Sequence, residues 1–129
     1  ILHEALPIYV EEAIKEIAEL RAEFWKEVSV PGGDKEFNEE LAKAGRVADF
    51  LELGELFAKD ALNRNESCGG HFREESAEES GPQKGEAKRD DKNYAYVAAW
   101  EYKGEPANAV LHKEELKFND IELKQRSYK

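Results

Sequence analysis

Four charged or titratable side chains lie close together in the sequence, at Arg64, Glu66, His71 and Arg73, and Cys68 stands between them. Cysteine and histidine three residues apart are possible zinc ligands. A structural zinc site needs four nitrogen or sulfur ligands, and a catalytic site needs three and a water. The chain has one cysteine and three histidines, and the other two histidines show no ligand spacing. The sequence therefore favours no metal site.

The same stretch does not define a reaction. A cysteine nucleophile needs a nearby cation and a histidine that a third group orients. His71 and Arg73 would supply these groups to Cys68, but the acidic segment that follows opposes a thiolate. Catalytic carboxylates need a partly dry pocket, and Gly69-Gly70 lacks the preceding strand and following Lys-Ser/Thr of a phosphate loop. Since guanidinium groups suit fixed, bidentate pairing across an interface, the cluster favours a docking surface.

Length and charge limit the partners. The 129 residues suit one domain, and 40% of them are hydrophobic, enough for a core. The net charge of -10 and the absence of a Lys/Arg cluster exclude nucleic acid and direct membrane contact as expected partners. Because the chain begins at Ile1 and contains no methionine, we expect it to be a piece of a longer protein.

Two long amphipathic helices are predicted, at about residues 8–28 and 34–63, because apolar residues recur there every three or four positions. Pro7 suits the first turn of the first helix, and Asp34 and Asn38 are alternative N-caps of the second. The second helix is apolar around much of its circumference. Leu53, Leu56 and Phe57 lie outside the face that the first helix can cover, so we expect a missing partner surface or self-association of the chain.

The rest of the chain combines a charged loop, at residues 64–93, with a β-hairpin and tail, at 94–129. Charge dominates residues 74–92, so this segment is expected to be mobile. Residues 94–102 alternate, with Tyr94, Tyr96, Trp100 and Tyr102 on one face, and predict a strand that packs on the helices. Residues 107–112 would return as the second strand, and 116–123 would be extended. The predicted fold is mainly α: an antiparallel hairpin of two long helices, as in a partial three-helix, spectrin-repeat-like bundle, with a small C-terminal β-hairpin.

The stretch RNESCGGHFREE, followed by RDD and an aromatic strand, resembles the C-terminal region of the succinate dehydrogenase/fumarate reductase flavoprotein subunit. That family carries an R-x-E-S-R-G-x-H-x-R pattern and then a P-x-R-D-D element. The matching residues are Arg64, Glu66, Ser67, Gly69, His71, Arg73, Arg89, Asp90 and Asp91. The likeness covers about residue 13 to the C-terminus, including the helix AKAGRVADFLELGELFAKDAL. Cys68 stands where most members have arginine, and the acidic insert before Arg89 is longer; both features resemble the menaquinone-linked, anaerobe-type branch.

The resemblance implies that this chain is one domain of a larger protein whose catalytic residues lie in another domain. It implies FAD attached covalently to an upstream domain, which also carries the substrate-binding residues, and electron transfer to an iron–sulfur subunit held by a membrane anchor. The location would be cytoplasmic, peripheral on the inner face of the cell membrane. This chain would be the C-terminal helical domain, without catalytic or cofactor-binding residues and inactive when isolated. It would pack on the FAD domain and flank the iron–sulfur subunit.

On this interpretation the nine matching residues form a domain-docking motif. The acidic partners that its arginines have within the chain are expected to be solvated, where ion pairs contribute only about 0–1 kcal/mol. The motif would therefore matter more to docking than to the stability of this chain. The alternative is a free-standing acidic helical domain that mediates protein interactions and happens to share the motif.

Overall fold

The computed structural model describes residues 5–33, 35–124 and 127, and its fold is mainly helical. The elements are α1 (Ala5–Glu27), α2 (Glu39–Asn63), a short α3 (Asp91–Tyr94), β1 (Tyr96–Glu101) and β2 (Val110–Glu115), with single 3-10 turns at Glu74–Ser76 and Pro106–Asn108. The predicted fold class, two long helices with a small C-terminal β-hairpin, is confirmed. Among the described residues, no helix is both long enough and apolar enough to span a bilayer.

The two long helices pack side by side in opposite directions. Arg21, late in α1, lies 3.1 Å (Nη2 to Oε2) from Glu55, late in α2. Val28, just beyond the end of α1, shares a groove with Val47, nearer the start of α2. Arg21 Nη1 also donates a 2.7 Å hydrogen bond to Glu105 Oε2. One guanidinium thus joins both helices to the connection between the strands.

Asn38 sets the start of α2. Its Oδ1 accepts a hydrogen bond from Leu41 N at 3.1 Å, and its Nδ2 donates to Pro31 O at 3.0 Å. Of the two predicted N-caps, Asn38 is confirmed, and Asp34 lies outside the described residues. Because the cap is tied back to Pro31, the helix begins at Glu39, later than residue 34. The first helix begins earlier than residue 8, at Ala5, so that Pro7 lies in its first turn.

The β-hairpin is antiparallel, with Tyr96 opposite Glu115 and Glu101 opposite Val110. Its bounds correct two sequence-based expectations. Tyr94 ends α3 instead of opening the strand, and residues 107–108 lie in a 3-10 turn, so the second strand starts at Val110. Residues 116–123 form no strand in the described part of the chain. Leu116 N still donates to Ala95 O at 3.0 Å, but α3 precedes Ala95 and leaves no further strand to pair with.

Two neighbouring polar residues of α2 hold the hairpin. Trp100 Nε1 donates to Asp60 Oδ1 at 2.7 Å. Lys59 Nζ donates to three carbonyl oxygens at the connection between the strands; these belong to Pro106 (3.1 Å), Ala107 (2.9 Å) and Ala109 (3.2 Å). Pro106 is fully buried in this contact. The aromatic strand therefore faces α2, as its alternation predicts.

One face of α2 is left uncovered. Phe50, Leu53 and Phe57 are 66%, 61% and 77% exposed, whereas Ala48 is buried. At about 3.6 residues per turn, Phe57 lies on the opposite side of the helix from Ala48. We call Phe50, Leu53 and Phe57 the apolar stripe. Leu53 and Phe57 are exposed, as expected. Leu56 also lies outside the face that α1 covers, but it is half-buried because the hairpin packs against it.

Candidate functional site

The motif residues meet where the chain leaves α2. Ser67 N donates to Lys88 O at 3.0 Å, and Asp90 N donates to Glu66 Oε2 at 2.9 Å. These two bonds join the two halves of the motif, which are separated in sequence by the acidic segment. We call Arg64, Glu66, Ser67, His71 and Arg73 the motif core.

Arg64 and Glu66 form a largely buried ion pair. Glu66 is 2% exposed, and its Oε1 accepts a 2.6 Å hydrogen bond from Arg64 Nη1. The guanidinium also donates to the carbonyl oxygens of Tyr94 (3.4 Å) and Tyr96 (3.3 Å) and lies 5.2 Å from the centroid of the Tyr96 ring. Since Asp90 N binds the second carboxylate oxygen, this buried charge is fully partnered, as burial requires.

Arg73 and Ser67 close the C-terminal end of α2. The Ser67 hydroxyl is fully buried; it accepts from Arg73 N at 2.8 Å and donates to Arg73 O at 3.0 Å. Arg73 Nη1 reaches carbonyl oxygens at the helix end, in Ala61 and Leu62 (both 3.3 Å) and Arg64 (3.4 Å). The last turn of α2 contains no basic residue. Arg73 therefore supplies the cation that stabilises a helix C-terminus.

A tight turn runs from Cys68 to His71. Cys68 N donates to His71 O at 2.8 Å, and His71 N donates to Cys68 O at 3.1 Å. Gly69 has φ +60°, and Gly70 lies outside the left-handed region, which is the pattern of a type II′ turn. His71 Nε2 lies 2.8 Å from Arg64 O; since a carbonyl oxygen only accepts, this nitrogen carries the proton. Because α2 has already ended at Asn63, Gly69 shapes this turn instead of ending the helix.

Arg89, Asp90 and Asp91 lie at the start of α3. Asp90 caps this helix by accepting from Asn93 N at 3.3 Å. Arg89 Nε donates to Asp91 Oδ1 at 3.0 Å, and the carboxylate raises the pKa of Arg89 above its ordinary value. The pair is more open to solvent than the motif core. It fixes the entry into β1.

The expectation that the arginines have only solvated partners is wrong for two of them. Arg64 pairs with buried Glu66, and Arg73 Nε donates to Glu75, whose side chain is 20% exposed. The backbone around them places both acids next to the helix end. What the motif presents outward is the exposed pair Gly69-Gly70 and the neighbouring Phe72. The described residues contain no group of three acidic, histidine or cysteine side chains that could hold a metal ion.

Sequence reasoning missed the polar residues that organise α2. Glu55 is buried against Arg21, and Lys59 and Asp60 hold the hairpin. A signal for Glu55 was present, because it lies seven residues after Ala48 and therefore on the same helical face. For Lys59 and Asp60 the sequence carried no comparable signal, since their partners lie some 40 to 50 residues away.

Comparison with known proteins gives one match. A family model described as the fumarate reductase flavoprotein C-terminus matches residues 9–128. The match spans both long helices, the motif core and the β-hairpin. No curated protein and no solved structure matches the chain.

Proposed function

The chain belongs to the family of fumarate reductase and succinate dehydrogenase flavoprotein C-terminal domains, and on that premise we propose that it packs on the FAD domain of the same polypeptide and flanks the iron–sulfur subunit. The family is one of FAD-dependent oxidoreductases. The observation that carries the proposal is the apolar stripe on α2.

The apolar stripe is the side of α2 that this chain does not cover. α1 occupies the face that contains Ala48, and the hairpin occupies the adjacent face at Leu56. Two phenylalanines and a leucine spaced along a third face form an apolar patch, and such patches mark interaction surfaces on folded proteins. A domain that packs along this face would bury all three side chains together.

The docking role of the motif then depends on shape more than on charge. Buried Glu66 and Ser67 use their polar atoms within the chain, so they hold the turn in place. A partner would meet Gly69-Gly70 and Phe72, together with Arg89 and Asp91 at the more open side. We therefore assign the motif core the task of presenting this turn beside the end of α2.

The residues of this chain do not fit FAD. A dinucleotide site places pyrophosphate at a helix N-terminus that follows a parallel strand and a glycine-rich turn. In the described residues the two strands form an antiparallel hairpin. α2 begins with Glu39 and Glu40, behind an Asn38 side chain that already caps it. Two carboxylates there would repel pyrophosphate, so we assign no redox step to this chain and place the flavin elsewhere in the polypeptide.

The branch of the family to which we assign the chain follows from its two departures from the family pattern. Cys68 in place of arginine and the long acidic insert support the menaquinone-linked, anaerobe-type branch. Such a protein would work on the cytoplasmic face of the membrane, in a complex with an iron–sulfur subunit and a membrane anchor.

A binding measurement tests the proposal. The FAD domain encoded upstream in the same reading frame is produced separately and titrated with this chain by calorimetry. Phe57→Ser should weaken binding by at least about tenfold, because burying a phenylalanine contributes about 1.5–3 kcal/mol. Phe37→Ser is the matched control, since Phe37 is 88% exposed but lies before α2. Equal binding of both variants would contradict docking through the apolar stripe.

Two further measurements test the proposal, and one observation separates it from its alternative. The chain alone, mixed with FAD and succinate or fumarate, should show no dye-linked turnover, and it should self-associate through the apolar stripe in light scattering unless Phe57 is changed to serine. A start codon directly before the codon of Ile1, with no upstream FAD domain, would favour the free-standing interaction domain instead.

A further inference from the structure

A cavity of about 280 Å³ lies between α2 and the β-hairpin, away from the motif core. Its walls are mainly apolar and include Leu53, Leu56 and Pro106. A volume of this size is near the lower end for small-molecule sites, which are concave, mostly apolar and carry a few polar groups.

Two aromatic rings and two carboxylates complete the cavity. Trp100 and Tyr102 contribute the rings, and Asp49 and Glu52 contribute the acids. Neither acid forms an ion pair with a described residue. The Arg21 guanidinium acts on Glu52 only at longer range, because its short contacts are with Glu55 and Glu105. Glu52 also interacts with the Tyr102 hydroxyl. The cavity thus combines an apolar body, aromatic faces and two carboxylates that have no cationic partner at ion-pair distance among the described residues.

Trp100 already binds one cation. Lys59 Nζ lies 5.1 Å from the centroid of the Trp100 ring, and three carbonyl oxygens share its charge. The indole Nε1–H donates to the Asp60 carboxylate, which increases the electron density of the ring. Indole is the aromatic group that attracts cations most strongly. The ring is therefore an electron-rich wall of the cavity.

From this geometry we propose that the cavity binds a small organic cation with an apolar body, such as a protonated arylalkyl amine. Its apolar part fills the space between Leu53, Leu56 and Pro106. Its ammonium group lies toward Asp49 and Glu52. The charge of the site selects against neutral and anionic molecules of the same shape, since either would leave both carboxylates without a cationic partner.

The test uses the intact chain and 2-phenylethylamine, which is a cation at neutral pH, with neutral 2-phenylethanol as its matched control. Binding is followed by the indole N–H signal of Trp100 in NMR spectra, and Trp25, which lies on α1 outside the cavity, is the internal reference. The amine should shift the Trp100 signal saturably and bind about fivefold more tightly than the alcohol. This preference should fall as salt is added, because the acids are near solvent.

Three variants locate the site. Asp49→Asn with Glu52→Gln should reduce the preference for the amine below about twofold. Glu23→Gln, which removes an acid beside the groove between α1 and α2, should leave it unchanged. Ala109→Leu, which fills the cavity, should abolish the binding of both molecules. The proposal is overturned if 10 mM amine, roughly ten times a millimolar dissociation constant, leaves the Trp100 signal in place, or if the alcohol binds as tightly as the amine.

Discussion

The substitution Glu66→Ala tests whether the motif core stabilises this chain. Glu66 is 2% exposed and binds both Arg64 Nη1 and Asp90 N. Removing the carboxylate loses a charge-assisted hydrogen bond, worth about 1.5–3 kcal/mol, and leaves an amide without its acceptor, at about 1–3 kcal/mol. Arg64 keeps two longer bonds to carbonyl oxygens and some contact with water. We therefore expect a loss near the lower part of the sum, about 3 kcal/mol of unfolding free energy.

Thermal unfolding followed by circular dichroism measures this loss. For a chain of this length, 1 kcal/mol corresponds to about 4 °C, so the midpoint should fall by about 12 °C. Glu74→Ala is the control, because Glu74 is exposed in the same segment and should shift the midpoint by no more than about 2 °C. Glu66→Gln should cost less than Glu66→Ala, since its amide oxygen still accepts from Asp90 N. If Glu66→Ala and Glu74→Ala melt together, the ion pair does not support the fold and the reasoning fails.

Two further predictions concern a helix end and an exposed carboxylate. Arg73→Met should lower the unfolding free energy by about 2 kcal/mol in urea titrations, because the carbonyl groups at the end of α2 lose their cation. The control is Arg46→Met, on an exposed part of the same helix, which should change the unfolding free energy by less than about 0.5 kcal/mol. Equal effects of the two substitutions would contradict the capping role. Hydrogen bonds from Lys103 and His112 hold the pKa of Glu101 below its ordinary value. The contribution of Glu101 to folding stability is therefore complete above the ordinary pKa and is lost as the pH falls through the lowered pKa. Unfolding midpoints measured from pH 6 downward should therefore fall less steeply in Glu101→Gln, and parallel curves would refute this assignment.

The sequence predicted the elements of the fold whose signals are local. Apolar residues every three or four positions identify α1 and α2, and alternation identifies the hairpin, because these patterns follow from the geometry of each element alone. The errors came where a local signal was overridden. Tyr94 fits the alternation of the strand, yet Asp90 caps a helical turn that includes it. Two plausible caps preceded α2, and the sequence did not show that Asn38 would cap the helix while its amide also binds Pro31 O.

The sequence predicted where the candidate site lies but not that its side chains are buried and bonded within the chain. The residues of the motif core are close in sequence, so their proximity was expected. Burial of Glu66 depends on Asp90 returning beside it, and the position of Arg73 depends on the direction in which the chain turns after α2. Spacing in sequence does not show which distant residues come into contact. The interpretation of the cluster as exposed docking charges therefore missed that Glu66 and Arg73 make contacts that hold this chain together.

Hydrogen bonds join the two ends of the acidic segment, so the segment can differ in length among family members. Lys88 N donates to Ser76 O, and Ala77 pairs with Ala87 across the segment. Glu78 N donates to Glu86 O and Gly85 N donates to Glu78 O, so the closure extends to these residues and the excursion is limited to 79–84. Lys88 O also binds Ser67 N of the motif core. Lengthening a closed loop costs little, because each doubling of its length adds only about 0.6 kcal/mol. Insertions and deletions confined to the excursion therefore leave the motif core in register, so this segment can change length without moving Glu66 from Asp90.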